Sequence, residues 1–176
     1  MKAIAVFLAA AAFAGAAHAD TAQDMVASLV TKLCMPAVET LTAPEKLPEG
    51  AVVMNADAKK KMGMDPRSTA WIYTASNDKV VLEMGIGGCN VIAQNTGDES
   101  YLKALETALG ETYPNTYVDT DDATGGGLRW RNYVVPLAKP NAIGMRSEAL
   151  SVTYSTADTP AGGKMFFVAV LESQKK

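Results

Sequence analysis

The stretch that decides the fold is TAWIYTASNDKVVLEMGIGGCNVIAQN, residues 69–95. Two apolar runs, TAWIYT and KVVLEM, flank the turn residues Ser76-Asn77-Asp78, which is the pattern of a β-hairpin. Gly85, Gly87 and Gly88 then indicate a turn, and the segment CNVIAQN after them predicts a third strand. Because the three strands are joined by short connections, we expect them to pair antiparallel.

Apolar residues at helical spacing precede this hairpin. Thr21 and Asp24 form a capping box at the start of the predicted helix, and Pro36 is expected to end it, with a short extension over Ala37 to Leu41 left open. The periodic residues of this helix are Met25, Val26, Leu29, Val30 and Leu33. A short helix is also expected in NADAKKKMG, from Asn55 to a stop at Gly63.

A second main helix follows the hairpin region. Thr96 and Glu99 are spaced as a capping box, and Gly110 is expected to stop the helix. Its periodic residues are Tyr101, Leu102, Leu105, Ala108 and Leu109.

The remainder of the chain is again strand-like, in the segments LRWRNYVV, ALSVTYST and KMFFVAVLE. The order of helix, three strands, helix and three strands predicts an α+β fold. We expect one antiparallel sheet of about five to six strands packed with two main helices. A single domain over residues 20–176 would contain all of it.

The first 19 residues have the pattern of a secretory signal peptide. Lys2 supplies a positive start, Ile4 to Phe13 is apolar, and Ala17-His18-Ala19 forms a cleavage site. We therefore expect Sec-type export, cleavage before Asp20 and a soluble periplasmic protein without a stable membrane anchor. The length also suits a leader better than a membrane-spanning helix, which needs about 20 apolar residues.

Export determines how the two cysteines, Cys34 and Cys89, are interpreted. Disulfides form and persist in exported proteins, and two cysteines allow only one intramolecular pairing. A reactive thiol would need a cationic neighbour, and none is close to Cys89 in sequence. We expect a structural Cys34–Cys89 disulfide.

Composition excludes several chemistries. The one histidine, His18, would leave with the leader, so serine or cysteine catalysis with an imidazole base is not available to the mature chain. Histidine-based zinc sites are excluded for the same reason. The chain carries 19 acidic against 16 basic residues, which argues against nucleic acid as a partner.

Two segments suggest weak metal ligands. Asp119, Asp121 and Asp122 precede Gly125-Gly126-Gly127, but the positions do not match a calcium-binding loop, so we expect a solvated acidic turn. Met62 and Met64 offer thioethers to Cu(I), although methionine is also a routine core residue. We expect no metal and no cofactor, and both minor sites are left open.

The candidate binding segment is RWRNY, residues 129–133. In an extended strand Arg129, Arg131 and Tyr133 share one face, while Trp130 lies on the other. Arginine and aromatic residues are frequent in binding hot spots. The alternative is an ordinary half-buried strand with Trp130 in the core and the arginines in water.

The sequence thus favours a non-enzymatic periplasmic accessory protein that binds a protein partner through a sheet face or edge, as inhibitors and secretion accessories do. The alternative is a carrier of a lipid or other apolar small molecule, held in a pocket between sheet and helix. The residue pattern does not identify the partner or ligand.

Overall fold

The computed structural model of the protein describes residues 21–75, 78–85, 88–93, 99–124, 128–137, 149–156 and 164–171. The helices in this part of the chain are α1 (Ala22–Ser28), a π-helical segment (Leu29–Cys34), α2 (Met35–Thr40), α3 (Ala56–Lys61) and α4 (Ser100–Thr112). The strands are β1 (Val52–Val53), β2 (Thr69–Ala75), β3 (Asp78–Gly85), β4 (Gly88–Ala93), β5 (Tyr117–Thr124), β6 (Leu128–Pro136), β7 (Ala149–Ser155) and β8 (Lys164–Leu171).

The eight strands found in the described part of the chain form one antiparallel sheet with the order β1-β2-β3-β4-β8-β7-β6-β5. Each half of the chain folds into a four-stranded meander, and β4 and β8 join the two meanders at the centre of the sheet. The expected α+β architecture with an antiparallel sheet and a few helices is therefore confirmed. The expected number of strands, five to six, was too low.

The two strands missing from the sequence prediction are the outermost ones. β1 has only two residues, which is too short for a periodic pattern. β5 occupies the segment expected to be an acidic turn, and that expectation was wrong for Tyr117–Thr124. Pairing with β6 provides the backbone hydrogen bonds there, although aspartate is depleted in strands. The three glycines expected to make this turn flexible, residues 125–127, lie outside the described residues.

The N-terminal helical region begins as expected but does not end at Pro36. It continues through α2 to Thr40, so the extension left open over Ala37 to Leu41 is present up to its last residue. The Thr21 side-chain oxygen accepts a hydrogen bond from the Asp24 N–H at 3.2 Å. The chain widens into the π-helical segment, where the Met35 N–H bonds to the Val30 carbonyl. Pro36 then lies in the first turn of α2, a place where its missing N–H and fixed φ are tolerated.

The other helices follow the sequence more closely. Asn55 caps α3 by accepting from the Ala58 N–H at 2.8 Å, and Gly63 follows the helix with a φ of 69°. α4 continues to Thr112, two residues beyond its predicted stop at Gly110, which has open space around it. The expected capping residue Thr96 lies outside the described residues.

The main core lies between α1, the π-helical segment, α2, α4 and one face of the sheet. Its largest fully buried side chains include Tyr73, Leu82, Tyr101, Leu105 and Leu150. A smaller cluster lies under α3 on the opposite face of β2–β4; it contains Met54, Met64, Ala70, Val81 and Ile92, with Met62 packed against it. The two methionines considered as copper ligands are thus placed as apolar packing residues.

The predicted disulfide is confirmed, because Cys34 and Cys89 are bonded with their Cα atoms 5.5 Å apart. Both residues are buried in the main core. The bridge connects the end of the π-helical segment to β4 and so fastens the N-terminal helical region to the middle of the sheet. Within the described residues, no helix is long and apolar enough to cross a bilayer.

Candidate functional site

The candidate segment forms the centre of β6, and its side chains alternate between the two faces of the sheet. Arg129, Arg131 and Tyr133 lie on the face that carries α4, while Trp130 and Asn132 lie on the opposite face, which we call the open face although Val134 and Ser155 on it are buried. Trp130 is 48% exposed, whereas Tyr133 is buried. The alternative arrangement, with Trp130 in the core and the arginines in water, is the reverse of what the structure shows.

The two arginines are held by carboxylates at the N-cap of α4, within α4 and on the neighbouring strand β5. Arg129 contacts Glu99 at 2.6 Å and Asp121 at 3.4 Å. Arg131 donates to Glu106 and pairs with Asp121 at 3.0 Å. Asp121 thus lies between both guanidinium groups, and hydrogen bonding to Asp121 raises the pKa of Arg129.

Tyr133 completes this inner network. Its hydroxyl donates to Glu106 at 2.8 Å, and the Arg131 guanidinium lies 5.8 Å from the centre of its ring. Burial, together with the hydrogen bond to Glu106, raises the pKa of Tyr133, so this phenol stays protonated and a donor. The Nε atom of Arg131 is buried and has no hydrogen-bond partner among the described residues.

A surface groove of about 470 Å³ runs along the inner network between α4 and β6. Its lining includes Glu99, Lys103, Glu106, Arg129 and Arg131. The arginine charges there are already compensated by three carboxylates, so an external anion would have to compete with them. The inner face of the predicted segment therefore serves to fasten α4 onto the sheet.

The open face of the same strands presents aromatic and polar side chains. By strand register Tyr117 lies opposite Val134 and Asp122 lies opposite Trp130, so Tyr117, Asp122 and Trp130 share this face. Tyr117 is 54% exposed. Between the two aromatic residues, the Asn132 side chain accepts hydrogen bonds from Ser151 at 2.7 Å and Thr153 at 3.1 Å.

The outer edge of the site is β5, the last strand of the sheet among the described residues. All six residues from Tyr117 to Asp122 are exposed. The pairing with β6 shifts between Val118 and Thr120, which leaves Asp119 as the extra residue of a β-bulge. No cationic side chain in the described ranges forms an ion pair with Asp119 or Asp122, in contrast to Asp121.

We define the open-face site as Tyr117, Asp119, Thr120, Asp122 and Trp130. Of the four predicted binding residues, only Trp130 belongs to the open-face site. Arg129, Arg131 and Tyr133 lie on the other face of the sheet. Sequence reasoning missed Tyr117 and the β5 edge, because an edge strand exposed on both faces has no apolar alternation. The one available signal was the aromatic residue beside Val118, just before the aspartates.

A second polar cluster fastens the α3 region. Glu83, which is buried, accepts from the Asn90 amide at 2.9 Å and lies 2.7 Å from the Ser68 hydroxyl. Lys59, in the second half of α3, donates to the backbone carbonyls of Pro66 and Ser68. These bonds hold the loop between α3 and β2 in place.

In comparisons with known proteins, no family model, no curated protein and no solved structure matches this chain. Its function must therefore be argued from the site itself. Exposed aromatic groups beside a strand edge that has no partner within the described ranges are suited to recognising another polypeptide, because backbone hydrogen bonds and side-chain contacts are offered together.

Proposed function

We propose that this chain is an exported accessory protein without catalytic activity, which binds another protein through the open-face site. The observation that carries the proposal is the exposed Trp130 next to strand β5, whose residues 117–122 are all exposed. Large aromatic side chains contribute a large contact area at a low cost in conformational entropy and are enriched in binding hot spots.

The sheet supports this role by keeping the site rigid. Trp130 is held on a strand that is paired on both sides, with β5 and with β7. The inner network fastens the same strand to α4, so the aromatic side chain is presented from a fixed backbone. A preorganised surface loses less entropy on binding than a flexible loop does.

The proposed export rests on the leader pattern of residues 1–19 and is consistent with the buried disulfide. Periplasmic residence would allow the bridge to form and persist. Amino-terminal sequencing of the protein recovered from its native host should give Asp20 as the first residue. Recovery of the intact leader on a cytoplasmic protein with two free thiols would contradict export.

The carrier alternative gains no specific support from the described residues. A carrier would hold its ligand between the sheet and the helices, and this space is occupied by the side chains of the main core, among them Tyr73, Tyr101 and Tyr154. The groove between α4 and β6 is lined largely by charged groups. We therefore retain protein binding as the proposed function.

The test is affinity capture from periplasmic extract with the wild-type protein and two variants. Trp130→Ala should lose the specifically captured partner, because it removes the central exposed aromatic group. Val53→Ser is the matched control, since Val53 is also an exposed apolar residue but lies at the opposite edge of the sheet. Full capture by Trp130→Ala, with both variants folded by circular dichroism, would reject this site.

Substitution of Arg129, Arg131 or Tyr133 is less informative about binding. Each change breaks a contact of the inner network to Glu99, Glu106 or Asp121 and so weakens the attachment of α4 to the sheet. If such a variant failed to capture the partner, the loss could come from reduced stability as well as from a lost binding contact. Trp130 is free of this problem because its side chain is half exposed.

A further inference from the structure

We propose that β5 receives an extended, basic segment of the partner protein as an additional strand of the sheet. This inference rests on the proposed function and deepens it, because it specifies the conformation and the charge of what is bound. The occupant we commit to is a polypeptide segment with lysine or arginine at alternate positions.

The conformation follows from the position of β5 in the sheet. One side of its backbone pairs with β6, and the other side has no strand partner among the described residues. Every second N–H and C=O group of an edge strand points outward and can bond to an incoming chain. With eight residues, β5 is long enough for such pairing, whereas β1 at the other edge has only two.

The charge of the occupant follows from the aspartates. Asp121 is neutralised by Arg129 and Arg131 on the inner face. Asp119 and Asp122 form no ion pair with the described cations, and Asp122 lies on the open face. An incoming strand with basic residues would supply the missing counter-charges, since opposite charges on neighbouring strands are stabilising.

The same charges argue against a second copy of this chain as the occupant. Antiparallel pairing of β5 with itself would bring the aspartates of both copies close together, and like charges on neighbouring strands are destabilising. Acidic residues and a bulge are also devices by which proteins prevent unwanted edge pairing. Here they exclude a copy of the chain but favour a basic partner.

Trp130 gives the basic partner a second favourable contact. On the open face Asp122 of β5 lies directly opposite Trp130 of β6. A side chain of an added strand that pairs with β5 at Asp122 would therefore lie in line with the Asp122 carboxylate and, beyond it, the Trp130 indole. A long basic side chain can place its charged group near the carboxylate and its alkyl chain along the indole. Cation–π attraction would add to this contact.

The test uses a defined peptide and nuclear magnetic resonance of the isotopically labelled protein. The probe is an eight-residue peptide that alternates Lys and Thr, matched in length to β5. The control probe alternates Glu and Thr. We expect the Lys peptide to shift the amide resonances of β5 and the indole N–H resonance of Trp130, and to slow hydrogen exchange of β5 amides.

Charge variants test the electrostatic part. The double variant Asp119→Asn, Asp122→Asn should weaken binding of the Lys peptide about 3-fold to 10-fold, as expected for two exposed charge pairs. Glu49→Gln, an exposed carboxylate outside the site, is the matched control and should leave binding unchanged. Equal binding of the Glu peptide, or shifts confined to residues away from β5, would overturn the inference.

The outcomes separate this inference from the proposed function. If the Lys peptide fails to bind β5 while Trp130→Ala still loses the cellular partner, the protein binds its partner through the open face but not by strand addition of a basic segment. If Trp130→Ala retains the partner, the proposed function fails at this site whatever the peptide does.

Discussion

Tyr101 is a buried tyrosine whose surroundings make the free energy of unfolding fall as the pH rises into the alkaline range. Its hydroxyl donates to Asp78 at 3.2 Å, which connects α4 to the start of β3. Burial, reinforced by the Asp78 carboxylate, raises the pKa of Tyr101 to about 12. In the unfolded chain the same phenol has a pKa of about 10.

The sign of the effect follows from these two values. Between pH 10 and pH 12 the unfolded chain releases the Tyr101 proton while the folded protein keeps it, so the free energy of unfolding falls with rising pH. The contribution of Tyr101 to the free energy of unfolding is fully present below about pH 10 and is lost as the pH rises to about 12. Urea titrations across this window should show a smaller decline for Tyr101→Phe than for the wild type. An unchanged decline would contradict the assignment.

Leu41 has an unfavourable backbone conformation at the end of α2. Its φ of 52° lies in the left-handed region, and it is the only described non-glycine residue with positive φ. We expect Leu41→Gly to raise the free energy of unfolding by about 0.5–1 kcal/mol, because glycine adopts this conformation without steric strain. The neighbouring variant Thr40→Gly should do the opposite, since Thr40 is helical and donates to the Pro36 carbonyl. Denaturant unfolding of both variants measures the two signs.

At the level of elements, the disulfide determines how the N-terminal helices are held. Cys34 and Cys89 are 55 positions apart, and closing a loop of this length restricts the unfolded chain by about 4 kcal/mol on the chain-entropy estimate. We expect the double variant Cys34→Ala, Cys89→Ala to lose about 2–4 kcal/mol of stability. The measurement is urea unfolding with and without reductant.

The variant also provides its own control. Reductant should destabilise the wild-type protein and leave the double alanine variant unaffected. An equal effect of reductant on both proteins would show that something other than this bridge responds to it.

The elements that the sequence predicted are those in which burial imposes a period. The hairpin β2–β3, the strand β4 and the stripe of α4 all follow from apolar residues at the spacing of a buried face. β5 could not be found in this way, because six of its residues are exposed and its backbone pairing with β6 alone makes it a strand. The predicted helix end at Pro36 was wrong because of backbone hydrogen bonding. The preceding π-helical segment already replaces the regular α-helical hydrogen bonds that a proline would break.

The candidate site was predictable only in part. Alternation along RWRNY correctly separated Trp130 from the two arginines, but it could not show which face α4 would cover. The carboxylates that decided this, Glu99, Glu106 and Asp121, lie 8 to 30 positions away in sequence from the arginines they hold. Only the fold brings them together.

At the scale of the whole molecule, the two meanders share one core. Tyr73 and Leu82 come from the first half, Leu150 and Tyr154 come from the second, and all four are buried in the same cluster. The central pairing of β4 with β8 joins the backbones of the halves over six residue pairs. Neither half can bury its own apolar face alone, so the sheet should unfold as one unit.

Leu150→Ala tests this cooperativity. Leu150 is fully buried in β7, and truncation to alanine should cost about 2–5 kcal/mol by removing apolar burial and leaving a cavity. If the molecule unfolds as one unit, hydrogen exchange should accelerate for the slowest amides of β2, β3 and β4 as much as for those of β6, β7 and β8. Lys79→Ala, at an exposed position of β3, is the control and should change exchange little. Accelerated exchange in the second half with unchanged protection in the first would show two independently folding units, because a cavity lowers the protection only of the amides that unfold together with it.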